Sequence, residues 1–176
     1  NTFRQEDNPY YWKNQLPYPG YWQQDVQYEI HARLDEVKDQ VDATATLSYW
    51  NNSPDTLHFV FFHLYANAAK RDSYMKELGG RNRAKGNPNI ASMTVDGQEV
   101  QSELDNTILK VMLPKPLLPG ESTAFKYTFT THWGGMGRMK LFNAWGFKHF
   151  DGTQWYPRIS AYDRKFGWDT QQHLGS

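Results

Sequence analysis

The residues able to do chemistry in this chain are its histidines, its carboxylates, a short basic run and a large supply of aromatic rings. There are six histidines and no cysteine. Thiolate catalysis, disulfides and Cys-based zinc sites are therefore excluded, while the compartment is not fixed. His58 and His63 sit in "HFVFFH", an odd number of residues apart, so on a regular strand they point to opposite faces and cannot share a metal unless a bulge intervenes. His31 falls on the polar side of another strand, and His132, His149 and His173 are expected in loops. No His-Glu-x-x-His or other compact ligand spacing occurs, so no metal site and no cofactor are expected within this chain. Asp35, Glu36 and Asp39 occupy a turn, and Glu99, Glu103 and Asp105 flank a hairpin, where a solvated surface accounts for them. A Ser-His-Asp triad can assemble from distant segments, but no Gly-x-Ser-x-Gly elbow supports one. No catalytic residue is assigned.

Arg81, Arg83 and Lys85 form a basic loop that is not interleaved with stacking aromatics. Lys plus Arg equals Asp plus Glu at 19 each, so no global field draws the protein to nucleic acid or an anionic membrane. "HWGGMGRMK" is Gly-rich but opens no clear helix, which a phosphate cradle would need. The aromatic content of 16% points elsewhere. Trp12, Trp22, Trp133, Trp145 and Trp155 all fall in or beside loops, where exposed rings bind sugars or proteins, unless they pack into the domain's own core.

These residues must be positioned by strands. "DVQYEIHARL" alternates, with Val26, Tyr28, Ile30, Ala32 and Leu34 on one side and polar residues on the other. "VDATATLSYW" repeats the pattern after a "DEVKDQ" turn, and "NNSPD" interrupts it. "TLHFVFFHLY" is apolar on both faces in its middle, as expected of an interior strand covered from both sides. "ANAAKRDSYMKEL" reads as one or two helical turns. Asp96-Gly97 is a hairpin signal between "IASMTV" and "QEVQSE", and Pro119-Gly120 turns "TILKVMLP" into "STAFKYTFTTHW", with Phe125, Tyr127 and Phe129 on one side. The expected fold is all-β: an antiparallel saddle-like sheet or β-sandwich with short irregular or helical insertions. Residues 1–21 read as an extended aromatic and Pro-rich arm, or as a partly disordered leader, and residues 22–176 as the domain. No apolar run approaches the ~18 residues of a membrane span. A start at Asn1 rather than Met reads as processing or excision.

The closing stretch "GTQWYPRISAYDRKFGWDTQQHLG", with "ARLDEVKDQVDATATLSYWNNSPDTLHFVFFHLYANA" upstream, resembles the amino-terminal domain of aminopeptidase N-type gluzincins. The likeness is to a bacterial branch with a Q-W-Y-P-R-x-x-x-Y-D signature, and it runs from Tyr21 to Ser176. It implies an all-β saddle that precedes a catalytic domain not present in this chain. That domain would hold the zinc and would be this domain's intramolecular partner. The other implied partner is the amino terminus of a peptide substrate. By the same resemblance Gln154 lines the pocket for the substrate's first side chain and helps hold its α-amino group. Trp155 and Tyr156 either wall that pocket or pack, and Arg158 and Asp163 read as a structural pair. The chain alone is expected to be inert, in an extracytoplasmic setting.

Overall fold

A computed structural model describes residues 5, 7–11, 17–70, 72–78, 89–134 and 139–174. Arg81, Arg83, Lys85 and Trp12, singled out above, lie outside them. The fold is all-β and antiparallel. One sheet has the order β1-β2-β8-β4-β5, from Asp25–Asp35 (β1), Gln40–Trp50 (β2), Ser122–His132 (β8), Asn89–Val95 (β4) and Gln98–Glu99 (β5). The second has the order β11-β3-β7-β6, from Arg158–Ile159 (β11), Leu57–His63 (β3), Ile108–Leu117 (β7) and Ser102–Asp105 (β6). Two hairpins stand apart: Met139–Ala144 with Phe147–Gly152 (β9, β10), and Tyr162–Asp163 with Gly167–Trp168 (β12, β13). A 3-10 turn, Tyr65–Ala69, and one short helix, Tyr74–Glu77 (α1), fill the connection after β3.

The alternating sequence builds the core directly. Along β2 the inward side chains Val41, Ala43, Ala45, Leu47 and Tyr49 are buried, and along β8 so are Phe125, Tyr127 and Phe129. Register makes small residues face large ones, because Ala43 opposes Phe129 and Ala45 opposes Tyr127. Small residues on β2 leave the volume that the β8 rings fill. Phe62 of the facing sheet inserts there, its ring edge-on to Phe125 and Tyr127 at 5.6 and 5.9 Å. Asp96 and Gly97 have φ of 48 and 81°, both positive as a type I′ turn requires. The Asp96 carboxylate then accepts from the Thr123 hydroxyl and the Ala124 amide.

Strand β3 is covered on both faces. Val60 and Phe62 point into the sandwich and are fully buried, while on the other face Phe61 meets Trp168 at 5.6 Å. The carboxyl-terminal segment therefore supplies a partial third layer. The interruption at "NNSPD" is organised by Asn51, fully buried. Its amide donates to the Asp55 and Leu117 carbonyls and accepts from Gln24 and the Ser53 hydroxyl.

Two expectations need correction. Strand β1 is an edge strand, which the second sheet meets near Tyr28, whose hydroxyl accepts from the Ile159 amide of β11. Val26 and Leu34 are 45% and 43% exposed, and only Tyr28 and Ile30 pack against the core. His132 and His149 are strand residues, in β8 and β10, rather than loop residues. Of the two readings given for the tryptophans, Trp133 follows packing into the core: it is buried, edge-on to Phe150 at 5.9 Å.

Candidate functional site: the carboxyl-terminal segment

Gln154, Trp155 and Tyr156 lie on the loop that joins β10 to β11. The loop is pinned from beneath by hydroxyls of the core sheet. The Thr131 hydroxyl donates to the Trp155 carbonyl at 2.7 Å, Tyr127 to the Pro157 carbonyl at 3.0 Å, and the Ile159 amide donates to the Tyr28 hydroxyl at 2.8 Å. Burial raises the Tyr127 phenol well above its usual range and the Tyr28 phenol to about 12, so both stay protonated. The Trp155 ring packs on Phe129 at 5.8 Å, and Tyr156 sits edge-on to Tyr28 at 5.6 Å and to Trp155 at 5.5 Å. Both rings are half-buried, continuous with the core on one side and open on the other.

Gln154 has φ of 56°, the left-handed region that costs a non-glycine residue about 1 kcal/mol. The other described non-glycine residues with positive φ are Asp39, Asp96, Asn106 and Trp145, and each sits in a tight turn joining paired strands. Gln154 does not. A strained backbone outside a hairpin turn persists only where its surroundings hold it, and the hydroxyl anchors that begin at the next residue, on the Trp155 carbonyl, contribute to that here.

Downstream, the segment folds back on β3 and the end of β7. Tyr162 and Trp168 stack at 4.5 Å, and Trp22 tilts against Tyr162 at 5.0 Å. The Tyr162 hydroxyl donates to Asp55 at 2.6 Å, and its phenol is raised to about 12 by desolvation, reinforced by that carboxylate. Asp163 caps its own turn through the Lys165 and Phe166 amides and accepts from the Tyr21 hydroxyl. No ion pair joins it to Arg158 among the described residues, which corrects the expected structural pairing.

Gln172 is the residue that sequence reasoning missed. Its carbonyl oxygen accepts from Asn106 Nδ2 at 3.0 Å, the Thr107 amide at 3.1 Å and the Thr107 hydroxyl at 2.8 Å. Its Nε2 donates to the carbonyl and carboxylate of Asp105, both at 3.0 Å. The His173 amide closes the clasp onto the Thr107 hydroxyl at 2.9 Å. The only sequence signal was an Asp-Asn-Thr turn, which carries no hint of a distant Gln. Asp105 is accordingly a clasp residue as well as a surface carboxylate.

Beside the clasp lies His63, buried at 3% exposure. Tyr65 stacks on its ring at 4.9 Å, and Asp169 Oδ2 is 3.6 Å from Nε2. Desolvation lowers the imidazole's affinity for a proton, and Asp169 only partly opposes this. His58, on the opposite side of the strand, is exposed. Among the described residues no three His, Asp or Glu side chains converge to hold a metal, so they do not fit a zinc site. No described helix is long and apolar enough to cross a membrane.

No family model matches the chain, and no curated protein matches it. Among solved structures it is similar to M1 zinc metallopeptidases. For a two-domain M1 zinc metallopeptidase variant bound to L-tryptophan, the TM-score is 0.50 at 20% identity, covering 77% of this chain and 29% of that one. For an M1 zinc metallopeptidase variant from Deinococcus radiodurans bound to a Tyr-Ser-Ala substrate, the TM-score is 0.51 at 20% identity with the same two coverages, 77% and 29%. The chain thus spans under a third of the length of these proteins. At this identity the likeness is one of fold.

Proposed function

We propose that this chain is the non-catalytic amino-terminal domain of a zinc-dependent, aminopeptidase-like metallopeptidase, with residues 22–176 as the β-saddle domain and 1–21 as an arm. Its partner is a catalytic domain of the same polypeptide. The substrate-binding residues are Gln154, Trp155 and Tyr156. The observation that carries the reading is the strained Gln154 on a loop fixed from below by core hydroxyls. An amide carbonyl held in place accepts a hydrogen bond from a substrate ammonium without adding a second buried charge. Trp155 and Tyr156 offer apolar walls beside it. Zinc, held by the catalytic domain, would supply Lewis acidity and an activated water. This domain contributes orientation, which raises rate through positioning rather than bond-making.

The test uses the complete polypeptide. Gln154→Ala should raise KM for an aminoacyl-anilide about tenfold, the loss of one charge-assisted hydrogen bond, with zinc content and kcat near the parent values. The chain alone, supplied with zinc, should show no turnover. An unchanged KM, or turnover by the isolated chain, defeats the reading.

One feature favours a second reading, a recognition module that binds glycan or protein through exposed rings. The β9–β10 hairpin presents Trp145 and Phe147 at 87% and 73% exposure, with Phe142 stacked on His149 at 5.1 Å. Glycan titration would then quench tryptophan fluorescence in the parent and not in Trp145→Ala.

A further inference from the structure

Away from the carboxyl-terminal loop, the two sheets splay apart where β4 faces β6, leaving a cleft of about 520 Å³, within the ~300–1,000 Å³ typical of small-molecule sites. The splay has a topological cause. Strand β5 pairs with β4 only at Thr94 and Val95, and the chain then crosses at Val100 and Gln101 to become β6, the edge of the other sheet. Among the described residues, the outer edge of Asn89–Met93 has no strand partner.

The lining is polarised. Ile90, Met93, Val100, Leu104 and Leu109 make an apolar body, and Leu104 remains 47% exposed. The turn after β3 adds Lys70 to the lining. Asn89 pairs with Thr130 and so lies on the outer face of the sheet, while Ile90 and Met93, opposite Phe129 and Tyr127, face inward. Among the described residues, no Asp or Glu lines the cleft. Lys70 enters no ion pair among the described residues. An ammonium on the lining of an apolar trough, with no carboxylate beside it among the described residues, is complementary to an anion with a hydrocarbon tail.

We infer that this cleft is a binding site for a medium-chain carboxylate, its tail along Ile90, Met93 and Leu109 and its head at Lys70. The site is separate from the carboxyl-terminal loop, so the inference does not depend on the peptidase reading.

Calorimetric titration with sodium decanoate, decanol and sodium acetate tests it on the chain as it stands. Decanoate should bind saturably at one site, decanol at least about tenfold more weakly, and acetate not measurably. Lys70→Glu should weaken decanoate about tenfold or more and leave decanol unchanged. Leu104→Trp, which fills the trough from an exposed position, should block both, with the urea midpoint of each variant confirming that it is folded. Methyl shifts of Ile90 and Met93 on adding decanoate would locate the ligand. No saturable binding, equal affinity for decanol, indifference to Lys70→Glu, or shifts confined to another region would each overturn the assignment.

Discussion

Replacing Thr107 by Val isolates the clasp that holds the carboxyl-terminal segment. Thr107 is fully buried, and Val has nearly its shape, so the substitution removes a hydroxyl without opening a cavity. Two hydrogen bonds go with it: the one donated to Gln172 Oε1 and the one accepted from the His173 amide. At about 0.5–1.5 kcal/mol net for each, the loss is about 1–3 kcal/mol. Gln172 Oε1 keeps two donors, Asn106 Nδ2 and the Thr107 amide, so it is not orphaned. The half-buried His173 amide loses its Thr107 acceptor. These facts place the expected cost near 2 kcal/mol, a fall in Tm of about 4–8 °C for a domain of this size. Urea unfolding gives the free energy, and hydrogen exchange at His173 reports the segment itself. Thr107→Ser keeps the hydroxyl and should retain the exchange protection. A Val variant that unfolds like the parent, with His173 still protected, would refute the claim that side-chain hydrogen bonds fix this segment.

Other consequences follow from single contacts. Because burial depresses the folded-state affinity of His63 for a proton, the unfolded chain binds more protons below its own pKa of about 6.5, and stability falls as pH drops through that value. His63→Leu should flatten that part of the urea-midpoint profile, and an unchanged slope would contradict it. A Cβ at Gly152 would lie 2.9 Å from the Trp133 ring and 3.2 Å from Met139 Sδ, so Gly152→Ala should cost about 1–3 kcal/mol by denaturant melt. Asn51→Ala should destabilise by about 2–4 kcal/mol, as several buried partners lose their hydrogen bonds together. Gln154→Gly should relieve the left-handed backbone and leave the isolated chain as stable or up to about 1 kcal/mol more stable, while weakening peptide binding by the complete polypeptide.

How far the molecule was legible depended on the range of the cause. The β2 and β8 faces, the Asp96-Gly97 turn and the double-sided β3 are written in spacing along one strand, and spacing is local. The exposure of Val26 and Leu34 is not. Their alternation is as regular as that of β2, but burial needs a second layer beneath, and the strand of the facing sheet that meets β1 at Tyr28, β11, is only two residues long. Trp133 has the same dependence: beside a Gly-rich run a ring can be exposed or packed, and Phe150 and Met139, returning from the next hairpin, decide for the core. Gln172 is the extreme case. Its partners come from a turn 65 to 67 residues earlier, and a polar side chain near a terminus gives no sign of being gripped. Gln154, Trp155 and Tyr156 were singled out by resemblance, since no periodicity marks them.

The physics of the closing segment bears on why a rim residue would be built this way. A loop that only had to cover the core could satisfy its backbone with water and place a glycine where φ turns positive. Here the Trp155 and Pro157 carbonyls and the Ile159 amide are taken up by Thr131, Tyr127 and Tyr28, three side chains of the sheet below. The residue at the strained position keeps a long amide side chain. Each anchor restricts the loop's freedom before any ligand arrives, so the ordering cost falls on folding rather than on binding. That division is testable at Tyr127. Tyr127→Phe removes the hydroxyl bond to Pro157 and leaves the ring in the core, so global stability should fall by only about 1 kcal/mol. If the loop is held for binding, the same change in the complete polypeptide should raise KM for a peptide substrate more than it lowers stability. If KM and stability shift together or KM stays fixed, the anchors serve the fold alone and Gln154 loses its claim to a positioned role.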